Sequence, residues 1–138
     1  MTDIFSKQKR SKIMSHISGE NTKPEIIIRK IAHSLGYRFR LHKKDLPGKP
    51  DIVFPKYKKV IFVNGCFWHG HINCSRSKLP TTNYKFWKEK IEGNKKKDTR
   101  NYRSLKKLGW DYLIIWQCGI KVVNRGKLET KIQKYLSQ

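Results

Sequence analysis

The chain predicts an α/β fold built as a single domain around one mixed sheet. Three observations carry this. The order of periodic stretches is helix, three strands, helix, strand, helix, a layered α/β pattern. Two apolar runs, Val60–Val63 and Leu113–Ile115, are too continuous for exposed strands. The chain has 138 residues, the length of one domain, and at that length roughly two-thirds of the unfolded surface can be buried.

In front of the domain, residues 1–21 read as a basic arm. Ser6 is placed to cap a short helix in which Ile13, Met14 and Ile17 share a face, with Lys7, Lys9, Arg10 and Lys12 around them. Gly19–Asn21 breaks this segment, so the domain proper is expected over residues 22–138. It opens with Thr22 as N-cap, Pro24 in the first turn and Glu25 as a capping-box acid. Ile28, Ile31, Ala32 and Leu35 follow at helical spacing, and Gly36 ends the helix. Tyr37, Phe39 and Leu41 alternate with Arg38, Arg40 and His42, a half-buried strand. Leu46–Pro50 is a turn, Asp51–Phe54 a short strand headed by a carboxylate, and Val60–Val63 its neighbour after a second turn. Arg76–Thr82 is a basic loop. A long polar helix is expected over Asn83–Leu108, with Trp87, Ile91, Tyr102, Leu105 and Leu108 on its apolar face and Lys95–Lys97 a solvated run. Gly109 closes it. Trp110–Trp116 reads as a central strand, and Lys127–Leu136 as a final helix.

Charge narrows the function. There are 32 Lys and Arg against 10 Asp and Glu, a net +22, and self-repulsion on that scale calls for a polyanion, with nucleic acid first. No apolar run approaches the roughly 20 residues of a membrane span. Three cysteines and a polar N-terminus point to a soluble protein of a reducing compartment, without a disulfide scaffold.

The chemistry concentrates between Val60 and Cys74, where Cys66, Phe67, Trp68, His69, His71 and Cys74 follow a strand and Gly65. Cys66-x4-His71-x2-Cys74, with Cys118 after a strand expected beside Val60–Val63, makes a Cys3His set suited to tetrahedral zinc. His69 competes with His71 for the ligand position, and the short gap to Cys74 favours His71. His69 is then a candidate general base or a phosphate contact. Asp51 is the best-placed carboxylate for a magnesium ion, or else an ordinary turn aspartate before a strand. Glu25, if its helix starts near the sheet, could stand beside Asp51. Phe67, Trp68 and Trp87 are either core rings or wedges that unstack base pairs, with Met14 a further probe from the arm.

These residues resemble a family. Gly65-Cys-Phe-Trp-His-Gly-His71 followed by Cys74, Leu46-Pro-Gly-Lys-Pro-Asp51, and Arg10-Ser-Lys-Ile-Met-Ser15 are similar to the very-short-patch repair (Vsr) endonucleases. So are Phe86-Trp87-x2-Lys90-Ile91-x2-Asn94-x3-Asp98 and the stretch from Leu108-Gly-Trp110 to Trp116-x-Cys118. The resemblance covers nearly the whole chain. It implies a PD-(D/E)XK-like nuclease fold with a structural zinc site. It also implies magnesium-dependent nicking of double-stranded DNA, 5′ to the thymine of a T:G mismatch left by deaminated 5-methylcytosine. By matching position, Asp51 and Val63 would hold magnesium, His69 would be the general base and Glu25 would support the attacking water. Cys66, His71, Cys74 and Cys118 would bind zinc. Phe67, Trp68 and Trp87 would wedge beside the mismatch, with Met14 approaching from the minor groove.

Two positions depart from the pattern. Val63 and Asn64 stand where the best-known member has threonine and histidine. A backbone contact at Val63 is indifferent to that change, while Asn64 cannot titrate but can hydrogen-bond a phosphate. The acid-x-lysine of the wider superfamily is also absent after Asp51. A monomer is implied, bacterial and cytoplasmic beside the nucleoid, linked to a DNA cytosine-5 methyltransferase and to mismatch-repair proteins. The competing expectations are a related endonuclease with another target and a zinc-stabilised nucleic-acid-binding protein without catalysis.

Overall fold

The structure is a computed structural model that describes residues 22–138 and, at Val122, the backbone alone. The basic arm, with Met14, lies outside the described residues. Helix α1 spans Lys23–Ser34, and strands β1 (Arg40–Leu41), β2 (Ile52–Phe54) and β3 (Lys59–Asn64) follow. Then come helix α2 (Tyr84–Lys107), strand β4 (Asp111–Trp116) and helix α3 (Arg125–Ser137). The sheet order is β1-β2-β3-β4. β1 and β2 are antiparallel, as are β2 and β3, while α2 carries the chain over to β4, which runs parallel to β3. The sheet is therefore mixed, as expected. No helix among the described residues is long and apolar enough to cross a membrane.

Alternation along the strands sorts the core into two layers, because successive side chains leave a strand on opposite faces. Ile52, Phe54, Ile61 and Ile115 turn to one face, where Ile28, Ile31 and Ala32 of α1 and Leu128, Ile132, Tyr135 and Leu136 of α3 cover them. Val53, Val60 and Phe62 turn to the other face, against Leu105 of α2, Leu46 and the half-buried Tyr102, Trp110 and Tyr112. Burying one such branched or aromatic side chain is worth about 1.5–3 kcal/mol.

The α3 side is tied down by polar bonds as well. Lys59 is buried, and its Nζ donates to the carbonyls of Tyr135 (2.6 Å) and Gln138 (2.9 Å). Carbonyls at a helix C-terminus have no partner within the helix, so a buried ammonium there satisfies acceptors and complements the helix dipole. The Tyr135 hydroxyl returns a bond to the Val60 carbonyl at 2.9 Å.

Four expectations need correction. β4 lies at the sheet edge, not its centre. Its continuous apolar run reflects helices on both faces, which an edge strand reached by a crossover also has. The strand expected over 37–42 pairs only at Arg40–Leu41, since β2 offers a three-residue partner. Tyr37 and Phe39 instead set their rings edge-on against Phe54, with centroids 6.3 and 6.2 Å away. Leu108 is exposed, because α2 ends at Lys107 and the chain turns away through Gly109 at φ +85°. Thr22 is the N-cap of α1 but makes no side-chain cap bond, and Glu25 is buried and turned toward the sheet.

Candidate active site

The topology fixes where chemistry can gather. β3 and β4 are parallel, so both end at the same edge, and antiparallel β2 begins there. Groups just after β3 and β4 and just before β2 therefore converge. A cleft of about 770 Å³ opens at that edge, lined among others by Glu25, Lys49, Asp51, Val63, Asn64, Trp68, His69, Asp98 and Tyr102.

Asp51 sits immediately before β2, and its Oδ2 accepts the Val63 backbone N–H at 2.7 Å. Burial, reinforced by the neighbouring Glu25 carboxylate, pushes the Asp51 carboxyl up to about 7, although the Val63 N–H and His69 pull the other way. A buried carboxylate disfavoured in this way is one that a bound cation would relieve. Asp51, Glu25 and His42 bring ligand atoms within 4.8 Å of one another, a set that could hold a metal ion. Glu25 Oε2 accepts Arg29 Nη2 at 3.1 Å and lies 3.4 Å from His42 Nε2.

Beyond β3 the chain winds tightly: the N–H of His69 reaches the Gly65 carbonyl (3.1 Å) and that of His71 the Cys66 carbonyl (2.9 Å). This coil sends the two histidines opposite ways. His69 faces the cleft side, its Nδ1 2.7 Å from Asp98 Oδ2 on α2. His71 joins the cysteines, with Nδ1 3.5 Å from Cys118 Sγ and its ring stacked on Trp116 at 4.1 Å. Of the two histidines it is His71 whose ring stands among the cysteines. Gly70 between them is at φ +61°, and a Cβ there would lie 2.3 Å from Lys95 Cε and 2.8 Å from Ile91 Cγ2, so glycine lets the coil pack on α2.

Cys66, His71, Cys74 and Cys118 place their ligand atoms within 4.8 Å of one another and could hold a metal ion. The register explains the convergence. Asn64 and Trp116 are paired partners on β3 and β4, and Cys66 and Cys118 each follow two residues later. Burial pushes the Cys66 thiol up to about 11, so its thiolate would be unfavourable there without a cation beside it. Three sulfurs and an imidazole are a soft donor set of the zinc type.

Asn64 is buried and donates through Nδ2 to the Tyr102 hydroxyl at 3.1 Å, so that amide hydrogen bond supports Tyr102. Burial holds the Tyr102 phenol high, at about 12. Phe67, Trp68 and Trp87 form a contiguous aromatic row, with edge-to-face centroid distances of 5.3, 5.4 and 5.8 Å, and Phe86 adds a fourth ring 5.1 Å from Trp87. Trp68 and Phe86 are half or more exposed, at 50% and 59%. Core packing would have hidden them.

Sequence reasoning missed His42, Arg29, Asp98 and Tyr102 as parts of this site. Arg29 had a local signal, lying four residues after Glu25 on one helix face. Asp98 stood in the helix motif that matched the family, without a role attached to it, while His42 had no signal, since tertiary packing brings it in.

A basic α/β domain with carboxylates and a histidine in one cleft, and rings at its rim, has the parts of a DNA-cleaving enzyme. The comparisons agree. The family model described as DNA mismatch endonuclease Vsr matches residues 2–76. The type II nicking enzyme V.XorIIP of Xanthomonas oryzae is 45% identical over 136 residues, 99% of this chain and 98% of that protein. V.NmeAIP of Neisseria meningitidis, another type II nicking enzyme, is 45% identical over 88% of this chain and 86% of its own length. The DNA mismatch endonuclease Vsr of Escherichia coli is 40% identical over 88% of this chain and 77% of its own. The chain belongs to the Vsr family of DNA mismatch and nicking endonucleases.

Proposed function

We propose that this endonuclease nicks double-stranded DNA 5′ to the thymine of a T:G mismatch, by magnesium-dependent hydrolysis, in very-short-patch repair on a PD-(D/E)XK-like fold. The observation that carries the reading is the convergence of Asp51, Glu25 and the His69–Asp98 pair in one cleft beside the exposed aromatic row. A histidine held by a carboxylate at 2.7 Å, with its other nitrogen left for the cleft, supports proton transfer over DNA binding alone.

Asp51 and the Val63 main chain would hold magnesium, which when bound supplies Lewis acidity at the scissile phosphate. With Nδ1 engaged by Asp98, the Nε2 of His69 is the nitrogen left to take a proton from water. Glu25 orients that water. Its oxygen bonds to phosphorus, the bond from phosphorus to the leaving sugar oxygen breaks, and solvent protonates the leaving oxygen. Lys23 and Lys49 line the cleft and complement the phosphate backbone, while the Tyr102 hydroxyl supported by Asn64 offers it a hydrogen bond.

Cys66, His71, Cys74 and Cys118 would hold structural zinc and so fix the coil that carries Phe67, Trp68 and His69. The rings, with Trp87, act as wedges: unstacking is cheapest at a mismatch, which gives selectivity without a full set of base contacts. The protein works as a monomer in the bacterial cytoplasm. Its substrates are the lesions left where a DNA cytosine-5 methyltransferase acts, and it hands its nick to mismatch-repair proteins.

The test is incubation with magnesium and labelled duplexes carrying T:G, U:G or matched T:A pairs, with the nick mapped to the nucleotide. Nicking of T:G alone or by a wide margin, one phosphate 5′ to the thymine, is expected. Equal nicking of T:A would overturn the mismatch reading. No nicking of any duplex by zinc-loaded, folded protein would overturn the enzymatic one.

A further inference from the structure

Tyr102 lines the same cleft as Asp51 and His69, and the elements that hold those two residues also hold Tyr102. Asp98, the partner of His69, stands one turn before Tyr102 on α2, and residues at that spacing are neighbours, with roughly 5–6 Å between Cβ atoms. β3 supplies the other tie. Val63 gives its N–H to Asp51 at 2.7 Å, and the next residue, Asn64, gives a side-chain Nδ2–H to the Tyr102 hydroxyl at 3.1 Å. Alternation along the strand sends Asn64 to the α2 face, as it does Phe62. The Tyr102 ring is stacked on Tyr112 at 4.6 Å and set edge-on to Phe62 at 5.2 Å, so the phenol has little freedom to turn away.

The direction of the Asn64 bond matters. An amide N–H donates to the phenol oxygen, so the phenol proton is not spent on Asn64 and is left for another acceptor. The same N–H stabilises the phenolate that remains once that proton has gone. A carbonyl or carboxylate partner would do the reverse and hold the proton back. Burial, and after it the charges of Asp98 and Asp51, hold the phenol at about 12, with the Asn64 N–H pulling the other way. Tyr102 is therefore protonated at neutral pH, yet it is a stronger acid than a sugar hydroxyl, whose nearest simple relative is water at about 15.7.

We propose that Tyr102 is the general acid of the nick: its O–H gives a proton to the sugar oxygen as the bond from phosphorus to that oxygen breaks, and Asn64 positions the hydroxyl and stabilises the phenolate. The inference rests on the reading of this cleft as a site of phosphodiester hydrolysis. The electron pair of the broken bond stays on the sugar oxygen and takes the Tyr102 proton. The phenolate then takes a proton from water in the open cleft, so solvent remains the source and Tyr102 is the group that delivers it. His69 returns to solvent the proton it took from the attacking water, and the sum is hydrolysis with the protein unchanged.

The experiment replaces the leaving oxygen with sulfur. The ends of the nick identify which bridging oxygen leaves, and the duplex that the parent nicks best is remade with sulfur at that one atom. A thiolate leaves unprotonated, since a thiol titrates at about 8.5 against about 15.7 for water. Single-turnover nicking of both duplexes is measured for the zinc-loaded parent, Tyr102→Phe, Asn64→Ala and His69→Ala, each variant as a ratio to the parent on the same duplex. On oxygen, Tyr102→Phe should lose about 10²–10⁴-fold, the usual worth of a positioned acid. On sulfur that loss should all but vanish. Asn64→Ala should lose less on oxygen and little on sulfur, while His69→Ala, which acts on the attacking water, should keep its loss on both. Equal losses by Tyr102→Phe on the two duplexes would overturn the proposal, because a tyrosine that only packs, or only contacts a non-bridging oxygen, gives that result. Parental nicking of the oxygen duplex by Tyr102→Phe would overturn it too. If Tyr102→Phe does not fold, 3-fluorotyrosine in place of Tyr102 makes the phenol more acidic and should change the rate on oxygen alone; a change on both duplexes, or on neither, would overturn the proposal. No nicking of any duplex by the folded parent would overturn the hydrolytic reading, and this inference with it.

Discussion

Asp98 is the residue whose removal tests the mechanism most sharply, because its side-chain hydrogen bond is to His69, the proposed base. The perturbation is Asp98→Asn, which keeps the shape and removes the charge. In the structure Asp98 Oδ2 lies 2.7 Å from His69 Nδ1, with the two side chains 22% and 32% exposed. As the water proton arrives on Nε2 the ring becomes an imidazolium, and the carboxylate is worth most at that moment. A charge-assisted hydrogen bond contributes about 1.5–3 kcal/mol, or about 10–150-fold in rate at 1.36 kcal/mol per decade. Partial exposure screens the pair and points to the lower part of that range, about 10–30-fold. Asparagine can also turn its NH₂ toward Nδ1, which moves the ring proton to Nε2 and blocks the base, and that would push the loss upward. The assay is single-turnover nicking of a T:G duplex at saturating protein, run on Asp98→Asn, His69→Ala and the double variant, with zinc measured on the same samples. His69→Ala alone is expected to lose roughly 10²–10⁴-fold with zinc intact. The double variant should be no slower than His69→Ala, since a positioning residue has nothing left to position. Parental rates in Asp98→Asn would refute the reasoning, as would losses that multiply in the double variant. Loss of zinc from His69→Ala would mean that His69 and His71 had been exchanged.

Other outcomes follow from the same geometry. Cys118→Ala should lower zinc to well under one ion per chain by elemental analysis and lower the thermal midpoint, because binding energy at a closed site is folding energy. Phe67→Ala or Trp68→Ala should reduce the ratio of T:G to T:A binding more than overall affinity, which should keep a steep salt dependence in a filter-binding or anisotropy titration. Asp51→Ala should abolish nicking yet leave DNA affinity equal or tighter, measured by gel shift, since a negative group leaves a cleft that faces phosphates. Lys59→Met should cost about 1.5–3 kcal/mol by urea unfolding, as the α3 carbonyls that accept from Lys59 at 2.6 and 2.9 Å lose a buried charged donor.

What the sequence determined by itself was whatever depends on neighbours a few residues away. Helical spacing of Ile28, Ile31 and Ala32 reported the buried face of α1 directly, because a helix presents its core at its own period. The short spacing of Cys66, His71 and Cys74 reported a ligand cluster for the same reason. Only the tertiary structure could say that β4 sits at the edge, since a helix on each face writes the same apolar run at edge and centre. The sequence placed Cys118 in the set by expecting its strand beside Val60–Val63, and the structure supplied the parallel register that pairs Asn64 with Trp116 and so sets Cys118 against Cys66. The short gap to Cys74 favoured His71 for the cysteines, and the structure supplied the geometry: the coil after Gly65 turns His69 toward Asp98 and His71 toward the sulfurs. Arg29 and His42 became part of the site for a further reason. Charge and chirality along the chain do not encode which side chains meet across a cleft, and that meeting is set by how α1 packs on the sheet and where the strand before Asp51 ends.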